Sequence, residues 1–428
     1  MRPPGRLPSR AEKSGWAGTV LASWLAPVVA PVVVPVRGAL RTAPWWLKVV
    51  LVYLGARGVS FAILAVAAYH AGESPWSGAR PDYLTFINRW DAGWYERIFN
   101  GGYPDTIPRN PNGTAQPNQW AFYPLFPLLA RGVNAVTGLP WAVVAPLVAG
   151  LAGLAAALVI YRLFAAVAHA APPGTALWGT AFFATFPISP ILQVGYAESL
   201  STFLLAASLL LLVRRRYWAA VPVMVLMCLS RPAGVPFAAV VGIHLLLRWR
   251  RRRSEPLGGR EAAGGLVLFA ASGVMAFAWM GIAWAATGER TAYTDTETAW
   301  RGTRLVLFKP WFDAGVQLAG PFWGPLLPVL LVVVAALYLG SQSVRRMGTE
   351  LRLWCALYMA YLFAVLDPQS STFRMMLPLF PLALAAAFLS ADRAYRWTVV
   401  VMFTLLQIVW VVWLWQFSAV STGQAWPP

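Results

Sequence analysis

Residues 45–69 read WWLKVVLVYLGARGVSFAILAVAAY, an apolar run interrupted only by the charges of Lys48 and Arg57. A helix rising about 1.5 Å per residue over such a run covers the roughly 30 Å hydrocarbon core of a bilayer. The same reading extends outward to apolar runs at 140–161, 177–192, 197–213, 264–287, 324–340, 353–366, 375–389 and 397–415. Of the 428 residues, 58% are hydrophobic and 12% charged, and 23 are Trp. Soluble domains carry roughly a quarter charged residues. A chain this apolar has too little polar surface to cover a water-facing core, so the bilayer is its solvent and the fold class is an all-α polytopic membrane protein.

Residues 216–248 form a special case. They are mostly apolar, flanked by Arg214, Arg215 and Arg216 on one side and by Arg248 and Arg250 to Arg253 on the other, and broken by Ser230-Arg231-Pro232-Ala233-Gly234. Two full spans need about 40 residues. A pair of short helices with an enclosed polar tip fits better, since irregular backbone at membrane depth survives only inside protein or along a cavity. Counting this hairpin as two gives about 11 transmembrane helices with a long first outer loop at 70–139.

The formal charge of +18 invites a nucleic-acid reading, and its distribution removes it. With the N-terminus cytoplasmic and 120–137 lying along the surface, the cytoplasmic side receives 22 basic and 5 acidic residues, the other side 11 of each. That asymmetry is the positive-inside signature. The expectation is a multi-pass plasma-membrane protein with no nucleic-acid partner. Residues 1–43 form a basic, Pro-rich leader, cytoplasmic or interfacial, 44–416 a single transmembrane domain and 417–428 a short extracytoplasmic tail. Only three basic residues are Lys (Lys13, Lys48, Lys309), which with abundant Ala, Gly and Pro resembles the codon bias of a GC-rich genome. Cys228 and Cys355 lie in apolar runs, and His70, His169 and His244 are scattered. No metal spacing is present, and no metal or other cofactor is expected.

The chemistry concentrates in the outer loop, where residues 88–98 read NRWDAGWYERI, followed by Gly101-Gly102-Tyr103. On a helix Trp90, Trp94 and Ile98 form one apolar stripe, with Asp91 and Tyr95 on the adjacent face. A carboxylate held at the bilayer edge between aromatic rings suits a general base, because partial desolvation brings a carboxyl's proton affinity towards the working range. The plainer alternative is an interfacial helix with a surface Asp. Arg231, at the tip of the broken hairpin, is costly unless paired or facing water, and its guanidinium suits a lipid phosphate. Capping of the break is the structural alternative. Glu198, in Gly195-Tyr196-Ala197-Glu198-Ser199, sits at another outer boundary and can pair with Arg231 or meet sugar hydroxyls. Arg374 is the second phosphate candidate, and Arg57, mid-span, is expected to pair with a neighbouring helix.

The run Arg89 to Tyr95 with Gly101-Gly102-Tyr103 resembles the first outer loop of the PIG-V type mannosyltransferases, GT-C fold enzymes with bacterial relatives in actinobacteria. Residues 121–129 are similar to that family's following aromatic and proline stretch, 195–199 to its Tyr-x-Glu-Ser element, 230–234 to its Thr/Ser-Arg-Pro-x-Gly element and 371–381 to its late Arg and Leu-Pro-x-Phe-Pro. Five elements in order span roughly 45–390. The resemblance implies an inverting transfer of mannose from a polyprenyl-phosphate-mannose donor to a lipid-linked or cell-envelope glycan acceptor on the outer face. It implies Asp91 as catalytic base and Arg231 and Arg374 at the donor phosphate. Arg89, Trp90, Tyr95, Tyr103, Tyr196 and Glu198 then contact substrate, and membrane lipids are the remaining partners.

Two other classes share the apolar bundle. A lipid-linked-sugar transporter often carries matched broken helices in repeats, and this sequence has one broken hairpin without a second copy. A non-catalytic subunit of a glycosyltransferase complex would dispense with Asp91.

Overall fold

The structure, a computed structural model, describes residues 42–300 and 306–416. The expected leader, apart from residues 42 and 43, and the expected tail at 417–428 lie outside the described residues. The chain divides into the units Met1–Lys48 and Val49–Pro428, and the helical bundle with its polar site belongs to the second.

The regular elements of the described residues are all helices, with no strand among them. In chain order, α1 (Trp45–Tyr69) leads to a loop carrying α2 (Tyr83–Ile87), α3 (Ala92–Gly101) and α4 (Leu125–Thr137). Next come α5 (Trp141–Val167), α6 (Thr175–Thr185), α7 (Glu198–Val213), α8 (Tyr217–Cys228), α9 (Gly234–Arg250), α10 (Gly259–Thr287) and α11 (Ala292–Ala299). The last third holds α12 (Lys309–Trp323), α13 (Leu326–Gly340), α14 (Gln342–Arg345), α15 (Thr349–Val365), α16 (Thr372–Met375), α17 (Leu382–Leu389) and α18 (Arg393–Trp410), which runs into a π-turn at Val411–Trp415. Four helices, α1, α5, α10 and α18 with its π-turn, are long and apolar enough to cross a bilayer. Two bent pairs, α12 with α13 at 112° and Thr372–Leu379 with α17 at 71°, raise that to six if each counts as one span. Among the described residues four to six spans, not the expected eleven, meet the length and composition of a crossing helix. The run at 177–192 is an 11-residue helix and a 3-10 turn, and α12 was not visible as an apolar run.

Helix α5 is the most enclosed of the four long helices. Its inward face carries five small residues (Ala145, Ala149, Gly153, Ala156, Ala157), which let α7 and α6 approach closely. At Gly153 a β-carbon would fall 2.1 Å from the Tyr53 hydroxyl of α1. Arg57 is buried among these helices and donates to the carbonyls of Ala184 (2.6 Å) and Ser189 and to the Ser189 hydroxyl (2.9 Å). It therefore pairs with a neighbouring helix as expected, but through backbone, satisfying carbonyls freed where α6 ends.

The hairpin at 216–248 is α8 and α9, broken at 229–233. Helices α8 and α9 both pack on α10. Gly234 opens α9 against α10 so tightly that a β-carbon would lie 2.6 Å from Ala276 Cα. A rigid backbone contact cannot give way as a side chain does, and overpacking costs about 1–3 kcal/mol. Gly234→Val is therefore expected to lower the thermal midpoint of the purified protein in detergent; an unchanged midpoint would contradict this packing.

Helix α7 carries Glu198 at its start and Val213 at its end, a separation of about 22 Å at helical rise. The basic residues collect at the far end, where Arg215 pairs with Glu255 (2.7 Å) and Arg248 with Glu261 (2.8 Å). The candidate chemistry collects at the Glu198 end.

Candidate active site

The loop after α1 is held in shape before any catalytic group is considered. Asp82 caps α2 by accepting from the Thr85 amide at 3.0 Å. Asn88 donates to the carbonyls of Leu84 (2.9 Å) and Ala142 (3.0 Å), tying the loop to α5. At the far end of α3, Arg131 of α4 donates to the carbonyls of Phe99 and Ile98, covering C-terminal carbonyls that the helix cannot satisfy itself.

Between these fixtures lies Arg89-Trp90-Asp91. Trp90 has φ 59°, in the left-handed region that a bulky residue enters only at a cost. The surroundings impose it: its indole nitrogen donates to the Trp415 carbonyl at 3.0 Å and its ring lies 4.6 Å from Trp76. Trp415 in turn donates to the Phe86 carbonyl at 3.0 Å, so the π-turn buttresses the loop. The expected stripe of Trp90, Trp94 and Ile98 is corrected here. The helix begins at Ala92, Trp90 precedes it and turns away, and Ile98 alone of the three is fully buried.

That turn leaves Asp91 at the N-cap of α3. An Asp there ordinarily accepts a backbone N–H from the first turn. Asp91 makes no such cap bond. Its carboxylate instead meets Arg374 at 2.6 Å, and its amide donates to the Tyr196 hydroxyl at 3.0 Å. The Tyr196 hydroxyl also reaches the Arg89 carbonyl at 3.4 Å, and the Arg374 guanidinium lies over the Tyr196 ring at 5.1 Å.

Arg374 continues to Glu198, with 3.3 Å between Nε and Oε1, and the same carboxylate oxygen pairs with Arg231. The four charges alternate: Asp91, Arg374, Glu198, Arg231. They come from α3, α16, α7 and the α8–α9 break. Glu198 and Arg374 are buried, at 4% and 6% exposure, while the Asp91 side chain keeps 20% and that of Arg231 18%. The second Glu198 oxygen has no hydrogen-bond partner. A small pocket opens beside this chain of charges. Glu198, Arg231 and Arg374 form its charged end, Ser201 and Thr202 offer hydroxyls, and Leu205, Tyr358, Met375 and Leu377 are among its less polar walls. Two guanidiniums at the charged end of a mostly apolar pocket can hold an anion there, and the Asp91 carboxylate paired with one of them can accept a proton.

Asp91, Arg231, Arg374, Glu198 and Tyr196 are thus brought together. Of the other sequence candidates, Tyr95 lies within electrostatic reach of all four charges, and Arg89 and Tyr103 lie elsewhere. Arg89 is 1% exposed, donates to the Ser77 hydroxyl at 2.6 Å and stacks over Phe86 at 4.7 Å, beneath the loop. Tyr95 is buried edge-on to Phe122 and Phe126. Tyr103 donates to the Phe122 carbonyl at 2.8 Å and joins Trp120 and Trp279 in a separate aromatic cluster between the loop and α10. Arg109 clamps that side of the loop by pairing with Glu289 and with Asp295 (3.3 Å). Among the described residues, no group of three or more His, Cys, Asp or Glu could hold a metal ion. Trp415 and the Asp91–Arg374 pair were not singled out from sequence. The pair joins residues with no sequence proximity, and Trp415 reads as the end of a span.

No protein-family model matches this chain, and no curated protein matches it in sequence. Among solved structures it is similar to the archaeal oligosaccharyltransferase AglB from Archaeoglobus fulgidus, in complex with an inhibitory peptide and a dolichol-phosphate. The TM-score is 0.44 at 12% identity, over 90% of this chain and 57% of that one. This chain thus spans a little over half the length of that protein. A TM-score below 0.5 does not establish a shared fold, and the chemistry rests on the site itself.

Proposed function

We propose that the chain is a membrane glycosyltransferase of the GT-C type that moves mannose from polyprenyl-phosphate-mannose to a lipid-linked or cell-envelope glycan acceptor. The observation that carries this reading is the helix-cap Asp91 that forgoes its cap and is directed to Arg374 beside the pocket. The motif resemblance supplies the sugar, the donor and the outer face, in keeping with the placement of the site at the end of the bundle opposite the basic cluster.

In this reading Asp91 takes the proton from an acceptor hydroxyl. The acceptor oxygen forms a bond to the anomeric carbon with inversion, and the bond from that carbon to the phosphate oxygen breaks with its electron pair. The leaving phosphate gains a charge as Asp91 loses one, and Arg374 touches both the base and the pocket. Its guanidinium can follow the charge from Asp91 to the phosphate over a short distance. With Arg231 it supplies fixed positive charge where negative charge develops, the arrangement that lowers a barrier most in a low-dielectric site. Glu198 holds the two cations together, and the less polar walls of the pocket take the first prenyl units.

In this reading the step runs without a metal. Membranes from cells making the chain are expected to transfer label from polyprenyl-phosphate-mannose equally well with and without excess EDTA, and membranes lacking the chain are expected not to. Transfer abolished by EDTA and restored by a divalent cation would contradict the proposed step.

A further inference from the structure

The far end of the bundle carries a second pocket that the proposed reaction does not use. It is open to the surface and is lined by Arg215, Arg216, Trp218, Arg260 and Glu261 among others, where α7 turns into α8 beside the start of α10. The acids at this end are already committed. Glu261 is held by Arg248 through both oxygens, at 2.8 and 3.1 Å. Glu255 pairs with Arg215, whose hydrogen bond holds that carboxyl below its ordinary value. Arg216 and Arg260 line the pocket without an acidic partner among the described residues. Trp218 is half exposed, donates to the Arg260 carbonyl at 3.3 Å and lies against Gly264 of α10, where a β-carbon would fall 2.7 Å from its indole nitrogen. The exposed Trp249 of neighbouring α9 has Arg252 over its ring at 3.8 Å. Exposed tryptophans among arginines mark the level of lipid headgroups.

We propose that this pocket binds the phosphate headgroup of an anionic phospholipid, clamped between Arg216 and Arg260 with Trp218 at the glycerol level. Two guanidiniums without counter-charges suit a phosphate diester, and basic pockets between membrane helices are suited to such headgroups. The lipid, not a soluble phosphate, is the assigned ligand, because half-exposed Trp218 forms one wall and would meet the acyl side. The inference depends on the chain spanning a membrane and is independent of the transferase reading.

The test is a native mass-spectrometric titration of the full chain in detergent with dioleoyl phosphatidylglycerol and, separately, dioleoyl phosphatidylcholine. Phosphatidylglycerol is expected to bind more tightly. Arg216→Gln and Arg260→Gln are expected to weaken it about fivefold each, and the double variant roughly 30-fold, at about 1 kcal/mol per arginine near the surface. Both residues are exposed, so the variants should keep the wild-type thermal midpoint. Arg252→Gln with Arg253→Gln, outside the pocket lining, should bind as the wild type does. Equal binding of the two lipids, full binding by the pocket double variant, or equal loss in the control pair would overturn the site. Displacement of phosphatidylglycerol by millimolar inorganic phosphate would overturn the assignment to lipid.

Discussion

Glu198→Ala is expected to destabilise the protein more than any other single substitution at the site. Glu198 is the one carboxylate that touches both Arg231 and Arg374. Removing it leaves two neighbouring cations with only Asp91, paired to Arg374, to offset them, and breaking a buried ion pair from one side costs about 3–5 kcal/mol. Thermal unfolding in detergent should show a clear drop in midpoint. Adding Arg231→Met to Glu198→Ala should recover part of the loss, because it removes a cation left without its partner. A wild-type midpoint for Glu198→Ala would mean that the alternating charges do not hold this end of the bundle together.

Asp91→Asn is expected to separate chemistry from binding. Asparagine keeps the volume and an oxygen beside Arg374, while Glu198 still restrains that guanidinium. The proposed proton acceptor is gone. Removal of a general base costs about 100- to 10,000-fold in rate, so kcat for mannose transfer should fall by that order. Donor affinity should hold or rise, since Arg374 loses one competing anion. Transfer at the wild-type rate would take Asp91 out of the reaction, and loss of donor binding alone would make it a binding residue.

Much of this site was legible in the sequence because membrane burial makes charge conspicuous. Asp91 between tryptophans, Glu198 at a helix start and Arg231 in a proline-broken hairpin each stand out against apolar runs. The Glu198–Arg231 pair was one of the open possibilities and is present. Arg374 read only as a phosphate ligand. Its contact with Asp91 depends on how α16 and the first loop meet, which no local pattern encodes. Trp90 was misplaced because helical periodicity carries no sign of a left-handed residue, and the forces that hold it there, Trp415 and Trp76, come from tertiary packing. The helix count was the coarsest reading. Apolar length identifies residues that tolerate lipid, but Pro and Gly breaks such as Gly324-Pro325 decide whether they form one span or a bent pair. Tyr103 was grouped with the site by motif proximity, and its ring instead packs where the loop meets α10.

The most direct test of the central claim uses the purified chain alone in proteoliposomes with labelled polyprenyl-phosphate-mannose and a lipid extract of the host membrane as acceptor. The account predicts that label leaves the polyprenyl carrier and appears on the acceptor, and that the Asp91→Asn protein leaves it on the carrier. Label that crosses the bilayer still attached to polyprenyl phosphate, with no transfer by the wild-type chain, would contradict the account and identify a transporter.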